Sequence, residues 1–456
     1  MKMLFDARRR EALKKLGIGA GLAFSGTLDA AETKLSMPSS KKKARIVIAG
    51  GGTAGMAAAA RIRRAAPNAQ IILISPNAQH LYQPGQLFVA AGLYKTSDIV
   101  QPTAGFLPDR VRWLQERVLF FDPESNTVQT ERTGKIVYDF LIVATGCEYD
   151  FEAIEGLEPS MIGKEGITSV YLNDTAKGSA EGGDLSRNWL LDIRKSAQKG
   201  RVKILLSDPE TPVKGEGVSL DMLFLCNDML KGNGPLKGGD LHKNAEFIFA
   251  KSTDRLIGCK GFDKVLKKRV KEQKNVSTLF SHRLRAVDAQ RKIATFAANG
   301  VEKEVSYDFL HVTPPMRAAG ALRDSPLAAY EGEFAGWLEV DEKTLRHKKY
   351  PNVFGIGDVM GSSAGKSGGG ARDQAIVMQD NIAAALEDKP LPAKYLGYTS
   401  VPIRTRYGRE ILAEYDEKGF DPTFPLDPTE ARWIWWEIDL HLMRWVYFNL
   451  IMRGMM

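Results

Sequence analysis

The stretch RIVIAGGGTAG, residues 45–55, joins a short β-branched run to four glycines. The run Arg45–Ala49 predicts a buried strand, and the alanine-rich residues 56–66 predict a helix. A strand, a glycine-rich turn and a helix form the phosphate-binding unit of a dinucleotide site. The first glycine permits the tight turn, the second lets the backbone approach the diphosphate, and the third allows close packing. The diphosphate then meets the positive end of the helix dipole.

Two later motifs indicate which dinucleotide binds. Ala144-Thr145-Gly146 ends a predicted strand over 137–144, and Gly355-Ile356-Gly357-Asp358 ends another over 353–356. This order matches flavoproteins with two dinucleotide-binding domains, where the aspartate contacts the ribityl chain, so the sequence predicts FAD. The second strand, 70–75, ends in Ser75, where an acidic residue normally binds the ribose. The residues predicted to bind the cofactor are Gly50, Gly52, Thr53, Ala54, Gly55, Ser75, Ala144, Thr145, Gly146, Gly357 and Asp358.

A second nucleotide site would need glycines after the predicted strand over 202–206. The sequence there, 207–212, is SDPETP, so acids and prolines stand in place of a phosphate cradle. This pattern argues against an NADH dehydrogenase or a pyridine-nucleotide disulfide reductase. Alternating strands and helices predict an α/β fold with two Rossmann-type domains. The predicted division is an export signal and linker over 1–43, an FAD-binding domain over 44–160 and 305–388, a second Rossmann-like domain without an NAD site over 161–304, and a C-terminal membrane-associating region over 389–456.

Composition excludes several classes of protein. Of the 456 residues, 44% are hydrophobic and 26% are charged, which is ordinary for a globular chain and excludes wholesale disorder. The net charge of +8 is too small to argue for nucleic-acid binding. Three cysteines and six histidines show no CxxC or HExxH spacing, so neither a disulfide framework nor a metal site is predicted.

The beginning of the sequence has the parts of an export signal. Arg8, Arg9 and Arg10 precede a short apolar stretch over 16–24, and small residues follow. Arginines followed by a short apolar segment resemble a twin-arginine signal, which carries folded proteins out of the cytoplasm. The expected location is therefore the periplasmic face of the membrane. An amphipathic N-terminal helix or a retained anchor stays an alternative.

The segment Thr429–Met456 holds four of the seven tryptophans, at 433, 435, 436 and 445. No run reaches the roughly 18 apolar residues that a spanning helix needs. Aromatic and apolar residues at helical spacing, interrupted by charges, predict a helix that lies in the bilayer interface. A packing helix or a dimer interface is the alternative.

From about Arg45 onward the chain resembles sulfide:quinone oxidoreductases of the mitochondrial type and their flavocytochrome c sulfide dehydrogenase relatives. The segments that carry the resemblance are HLYQP at 80–84, HVTPPM at 311–316, YPNVFGIGD at 350–358, ILAEYD at 411–416, FPLD at 424–427 and the aromatic tail. The resemblance implies noncovalent FAD, a quinone pocket near the flavin and a monotopic C-terminal region. It also implies that Gln83, Pro84, Val118 and Lys366 contact the flavin, with Lys366 beside the isoalloxazine as the catalytic candidate.

The chain departs from this family at its two redox cysteines. The family oxidises sulfide with a pair of cysteines beside the flavin, one after a TPVK-like segment and one after GIGD. Here those positions are Gly215 and Val359, and neither side chain can hold a persulfide.

The sequence therefore predicts an FAD-dependent oxidoreductase that passes electrons to quinone. The donor is other than sulfide, or is sulfide attacking the flavin directly. The alternative is a catalytically divergent flavoprotein subunit that docks on a redox partner such as a cytochrome; the oligomeric state is left open.

Overall fold

The computed structural model describes residues 38–173, 180–236 and 239–456. The predicted export signal falls on residues outside these ranges and stays a prediction. The α-helices span Thr53–Ala65, Gly85–Ala90, Thr96–Ile99, Glu181–Ala197, Val218–Leu230, Lys260–Lys271, Gly320–Arg323, Gly368–Leu386, Trp433–Glu437 and Arg444–Val446. Short 3₁₀ helices span Thr103–Phe106, Phe151–Ala153, Pro159–Met161, His242–Asn244 and Gly357–Val359.

The first domain is built on a parallel five-stranded sheet. Its strands, in spatial order, are Val353–Gly355, Phe140–Val143, Arg45–Ala49, Gln70–Ile74 and Val111–Leu114. The central strand is buried along its apolar residues because helices cover a parallel sheet. Helix Thr53–Ala65 packs beside helix Gly368–Leu386, and Arg61 donates to Gln379 between them. Late and early parts of the sequence therefore build one domain.

The second domain has its own parallel sheet. Its strands, in spatial order, are Ile167–Thr168, Phe309–Val312, Val202–Asp208, Ala245–Lys251 and Val276–Phe280. The prediction that the FAD-binding domain resumes at residue 305 is wrong, because Phe309 pairs with Ile204 in this second sheet. A short buried apolar strand suits either sheet equally, so its sequence alone does not show which sheet it joins.

Smaller antiparallel sheets surround these two. They comprise Cys147–Tyr149 with Met316–Ala318; Gln79–Leu81 with Val100–Pro102; Val118–Asp122, Thr127–Thr130 and Lys135–Val137; Arg283–Asp288, Ile293–Ala298 and Val301–Ser306; and Thr399–Arg406, Arg409–Asp416 and Gly419–Phe420. The single strand predicted over 137–144 is two strands in different sheets. The chain turns between them at Asp139, whose carboxylate accepts the Arg45 N–H at 2.6 Å.

A buried charge cluster, which we call the Arg404 cluster, joins the second domain to the C-terminal region. The Arg404 side chain is 3% exposed and donates to Asp221 at 2.8 Å and to Asp439. Glu410 lies 3.7 Å from its Nε. One guanidinium thus faces three carboxylates that come from three separate segments of the chain. Burial raises the pKa of Asp221 to about 7, although Arg404 opposes the shift.

The aromatic tail is partly a packing element. It continues from Trp433–Glu437 through π-helical turns at Ile438–Met443 and Tyr447–Ile451. Trp436 is 4% exposed and packs edge-on to Phe88, whereas Trp433 and Trp445 are 58% and 55% exposed. The packing alternative therefore holds for Trp436, whereas the interfacial helix stays a prediction. Within the described ranges, no helix is long and apolar enough to cross a membrane.

Candidate functional site

The glycine turn adopts a conformation that requires glycine. Gly50 has φ +117°, and a Cβ built on it would lie 2.1 Å from the carbonyl oxygen of Ala144. A Cβ on Gly55 would lie 1.9 Å from the carbonyl oxygen of Gly50, so the helix can approach the strand only without a side chain there. Gly52 precedes the helix with φ −71° and has no atom near its Cβ position. The open side of the turn is therefore at Gly52.

The three predicted FAD motifs meet at this turn. Gly50 abuts the backbone of Ala144 and Thr145, and a Cβ on Gly357 would lie 2.8 Å from the Cβ of Ala54. The Thr145 hydroxyl is buried and has no hydrogen-bond partner within the described part of the chain. No side chain caps the helix that begins at Thr53. An open glycine cradle, free helix amides and an orphaned hydroxyl fit a bound dinucleotide.

Two of the residues predicted to contact FAD, Ser75 and Val118, do not lie on the open side of the glycine turn. Ser75 is 2% exposed, and its Oγ would be 2.7 Å from a Cβ on Gly51, so it fills the space beneath the turn. Val118 belongs to an antiparallel sheet and pairs with Thr130. Their contacts with the cofactor stay predictions.

Lys366 links Gly215 and Val359, the two positions at which the resemblance implies cysteine. Its backbone oxygen accepts the N–H of Gly215 at 3.0 Å. Its Nζ donates to the carbonyl oxygens of Asp358 and Met360, on either side of Val359, at 2.7 and 2.8 Å. Burial lowers the pKa of Lys366, and Asp358 opposes that shift. Gly215 and Val359, far apart in sequence, therefore lie at one site.

A small group of side chains adjoins Gly215. The Lys214 ammonium lies 4.7 Å above the Tyr149 ring, and the Lys214 N–H donates to the Met316 sulfur at 3.2 Å. Cys147 donates to the same sulfur at 3.8 Å. Tyr149 also donates to the exposed Gln83 side chain at 3.3 Å. Gln83 therefore lies next to this group, and the contacts of Gln83 and Pro84 with the flavin stay predictions.

None of the three thiols replaces the missing pair. Cys226 is fully buried within helix Val218–Leu230, and burial raises its pKa. Cys259 immediately precedes helix Lys260–Lys271. Cys147 is the thiol beside Lys214, yet burial raises its pKa to about 11 against the opposing effect of Lys214. It is therefore a neutral thiol at physiological pH.

Sequence reasoning missed two residues at the glycine turn. The Tyr447 hydroxyl lies 2.6 Å from the Thr53 hydroxyl and 2.6 Å from His80 Nε2. Burial lowers the pKa of His80 to about 4, so its imidazole is neutral. Tyr447 also packs against Tyr82, with ring centroids 4.8 Å apart. The aromatic tail therefore closes over the start of the helix, and only its density of aromatic residues hinted at this.

Replacing Gly52 by alanine tests whether the open side of the turn belongs to the cofactor. We expect Gly52→Ala to bind FAD at least about tenfold more weakly, since the new methyl group occupies the space the diphosphate needs. The apoprotein should change in stability by no more than about 1 kcal/mol, because alanine accepts this φ. Flavin content and apoprotein thermal unfolding are the two measurements. Gly200→Ala, another glycine with open space, is the control; equal flavin content in both variants would contradict the assignment.

Within the described ranges, no cluster of three histidine, cysteine or acidic side chains is arranged to hold a metal ion.

Comparisons with known proteins agree with this geometry. Residues 44–180 match the family described as pyridine nucleotide-disulphide oxidoreductase. The mitochondrial sulfide:quinone oxidoreductase of Mus musculus is 31% identical over 91% of this chain and 87% of its own length. That of Dictyostelium discoideum is 32% identical over 91% of this chain and 86% of its own. The solved sulfide:quinone oxidoreductase of Aquifex aeolicus has a TM-score of 0.71 at 20% identity, covering 91% of this chain and 92% of that one.

Proposed function

Because the chain belongs to the sulfide:quinone oxidoreductase family, we propose that it takes electrons from a reduced donor beside Lys214 and passes them to a quinone. It is an FAD-dependent oxidoreductase with Rossmann-like parallel sheets. When bound, FAD supplies the electron chemistry. The convergence of Gly50, Ala144 and Gly357 at one helix N-terminus is the observation that carries this proposal.

The donor in this proposal needs no protein thiol. Gly215 and Val359 offer no sulfur, and the Cys147 thiol is neutral. Lys214 and Lys366 supply positive charge at the place where an anionic donor would approach. An anion that reacts directly with the flavin, sulfide included, therefore fits the site better than one that must first be trapped on a cysteine.

In this proposal the quinone binds at the aromatic cluster around Tyr447. Phe448 stacks on Phe106 with centroids 5.6 Å apart and lies 6.1 Å from Tyr82. An apolar, aromatic surface suits a quinone ring and its isoprenoid chain. The exposed Trp433 and Trp445 would rest in the bilayer interface, where the quinone is dissolved. The arginines near the N-terminus support export and a periplasmic location.

An anaerobic donor panel tests this function. The protein purified with FAD is mixed with sulfide and other small reductants, and flavin absorbance is followed. The proposal expects a donor that bleaches the flavin and a water-soluble quinone that restores its colour. Reoxidation by a cytochrome but not by quinone would instead favour the docking-subunit alternative, which the comparisons do not favour.

NADH and NADPH are expected to leave the flavin oxidised. The carboxyl ends of strands Val202–Asp208 and Ala245–Lys251, where a dinucleotide would bind, hold a buried ion pair between Asp208 and Lys251 at 3.3 Å. The turn that follows has no glycine-rich cradle at 207–212. Anaerobic absorbance at the flavin maximum should match the nucleotide-free trace, with dithionite as the positive control. Rapid stoichiometric bleaching by NADH would show this reasoning to be wrong.

A further inference from the structure

A concave pocket lined by three arginines lies where the second domain meets the C-terminal sheet. Its volume is about 310 Å³, at the lower end of the roughly 300–1,000 Å³ typical of small-molecule sites. Arg269 comes from the last turn of helix Lys260–Lys271, and Arg406 and Arg409 come from the hairpin of the C-terminal sheet. We call it the arginine pocket.

The arginine pocket carries uncompensated positive charge. Glu272 is the one acidic side chain in its lining, against three guanidinium groups. Among the described residues, the side chains of these arginines form no hydrogen bond or ion pair, and the Arg269 Nε is buried without a partner. Converging guanidinium groups bind phosphate well because their paired N–H donors match its oxygens.

The position of the pocket points to the source of that phosphate. Ala431 lines the pocket and lies two residues before Trp433, which is 58% exposed at the start of the tail helix. Tryptophans at a membrane interface sit at the depth of the lipid headgroups. A pocket at this level would meet the phosphate of a lipid whose chains lie beside the tryptophan.

We propose that the arginine pocket binds the phosphate of an anionic phospholipid headgroup. The proposal rests on the proposed membrane attachment. The attachment itself is mainly hydrophobic, through Trp433 and Trp445, and the pocket adds preference for anionic lipid.

Vesicle binding by the full-length FAD-loaded protein tests the proposal. Neutral phosphatidylcholine vesicles measure the hydrophobic attachment, and vesicles that also contain phosphatidylglycerol measure the anionic preference. The variant Arg406→Gln/Arg409→Gln should bind anionic vesicles roughly tenfold more weakly and neutral vesicles as well as the wild type. The matched control, Arg117→Gln/Arg291→Gln, removes two exposed charges elsewhere and should lose clearly less affinity.

If both double variants lose the same affinity for anionic vesicles, the proposed role of the pocket is overturned, since the change in net charge alone would explain the loss. Absence of binding to any vesicle would overturn the membrane attachment itself. Thermal unfolding with and without inorganic phosphate tests whether the pocket binds free phosphate instead of a lipid headgroup. Phosphate could stabilise the wild type but not Arg406→Gln/Arg409→Gln, while both proteins bind vesicles equally well. The pocket would then bind free phosphate, and the proposal that it binds a lipid headgroup would be overturned.

Discussion

Reduction of the flavin by sulfide is expected to be slow, linear in sulfide concentration and unaffected by iodoacetamide. Trapping sulfide on the protein needs one sulfur nucleophile, and delivering its electrons to the flavin needs another; Gly215 and Val359 provide neither. Burial raises the pKa of Cys147 to about 11, so this thiol stays protonated at pH 7. Stopped-flow absorbance before and after alkylation measures this. Fast, saturable reduction that alkylation abolishes would mean that a present cysteine serves.

Restoring the thiol pair should have a large effect in the opposite direction. We expect Gly215→Cys/Val359→Cys to speed reduction by sulfide at least about tenfold, because Lys366 already holds these two positions at one site. The gain is limited by strain, since Gly215 has φ +70° and its Cβ would lie 3.2 Å from Val218. Gly215→Ser/Val359→Ser has nearly the same shape without sulfur and is the control. Equal rates in the two double variants would show that these positions do not face the flavin.

Replacing Arg404 should destabilise the protein more than replacing any exposed arginine. Arg404→Met leaves Asp221, Glu410 and Asp439 buried without their cation, which typically costs about 3–5 kcal/mol. Urea unfolding followed by tryptophan fluorescence measures the loss. Arg406→Met, on the same strand but exposed, is the control and should change stability by less than about 0.5 kcal/mol. A similar small loss in both would show that the Arg404 cluster contributes little.

The pH dependence of that loss has a definite sign. The pKa of Asp221 in the folded protein is about 7, above its ordinary value in an unfolded chain. The stability that this group contributes is therefore present at low pH and decreases as the pH rises from about 4 to 7. Without Arg404 the carboxylates repel each other more strongly once ionised. Arg404→Met should accordingly lower the free energy of unfolding more at pH 8 than at pH 5. An equal loss at both pH values would contradict the assignment of buried carboxylates that ionise in this range.

The sequence predicted the glycine turn because its strand, glycines and helix follow one another directly along the chain. Gly55 is required by the carbonyl oxygen of Gly50 within the same motif, whereas Gly50 is required by Ala144, which lies far later in the sequence and follows the neighbouring strand. The three FAD motifs each follow a strand of the same sheet, and parallel strands place their carboxyl ends together.

The remaining errors and omissions depend on contacts between distant segments. The strand Phe309–Val312 was placed in the wrong domain because its four buried residues suit either sheet. The contact of Tyr447 with Thr53 joins segments that nothing in the local pattern relates. Arg404 lies in a strand that carries one further arginine, Arg406, and charged residues ordinarily point to solvent, so the sequence alone does not predict its burial.

The arrangement of the first sheet also constrains how the protein is made. Its edge strand, Val353–Gly355, emerges from the ribosome long after the central strand Arg45–Ala49, and the entire second domain is synthesised between them. Tyr447, which closes over Thr53, emerges later still. The second domain can therefore fold during synthesis, whereas the flavin cradle is assembled only after most of the chain has been translated. Ribosomes stalled before residue 353 should accordingly carry a folded second domain and no tightly bound flavin.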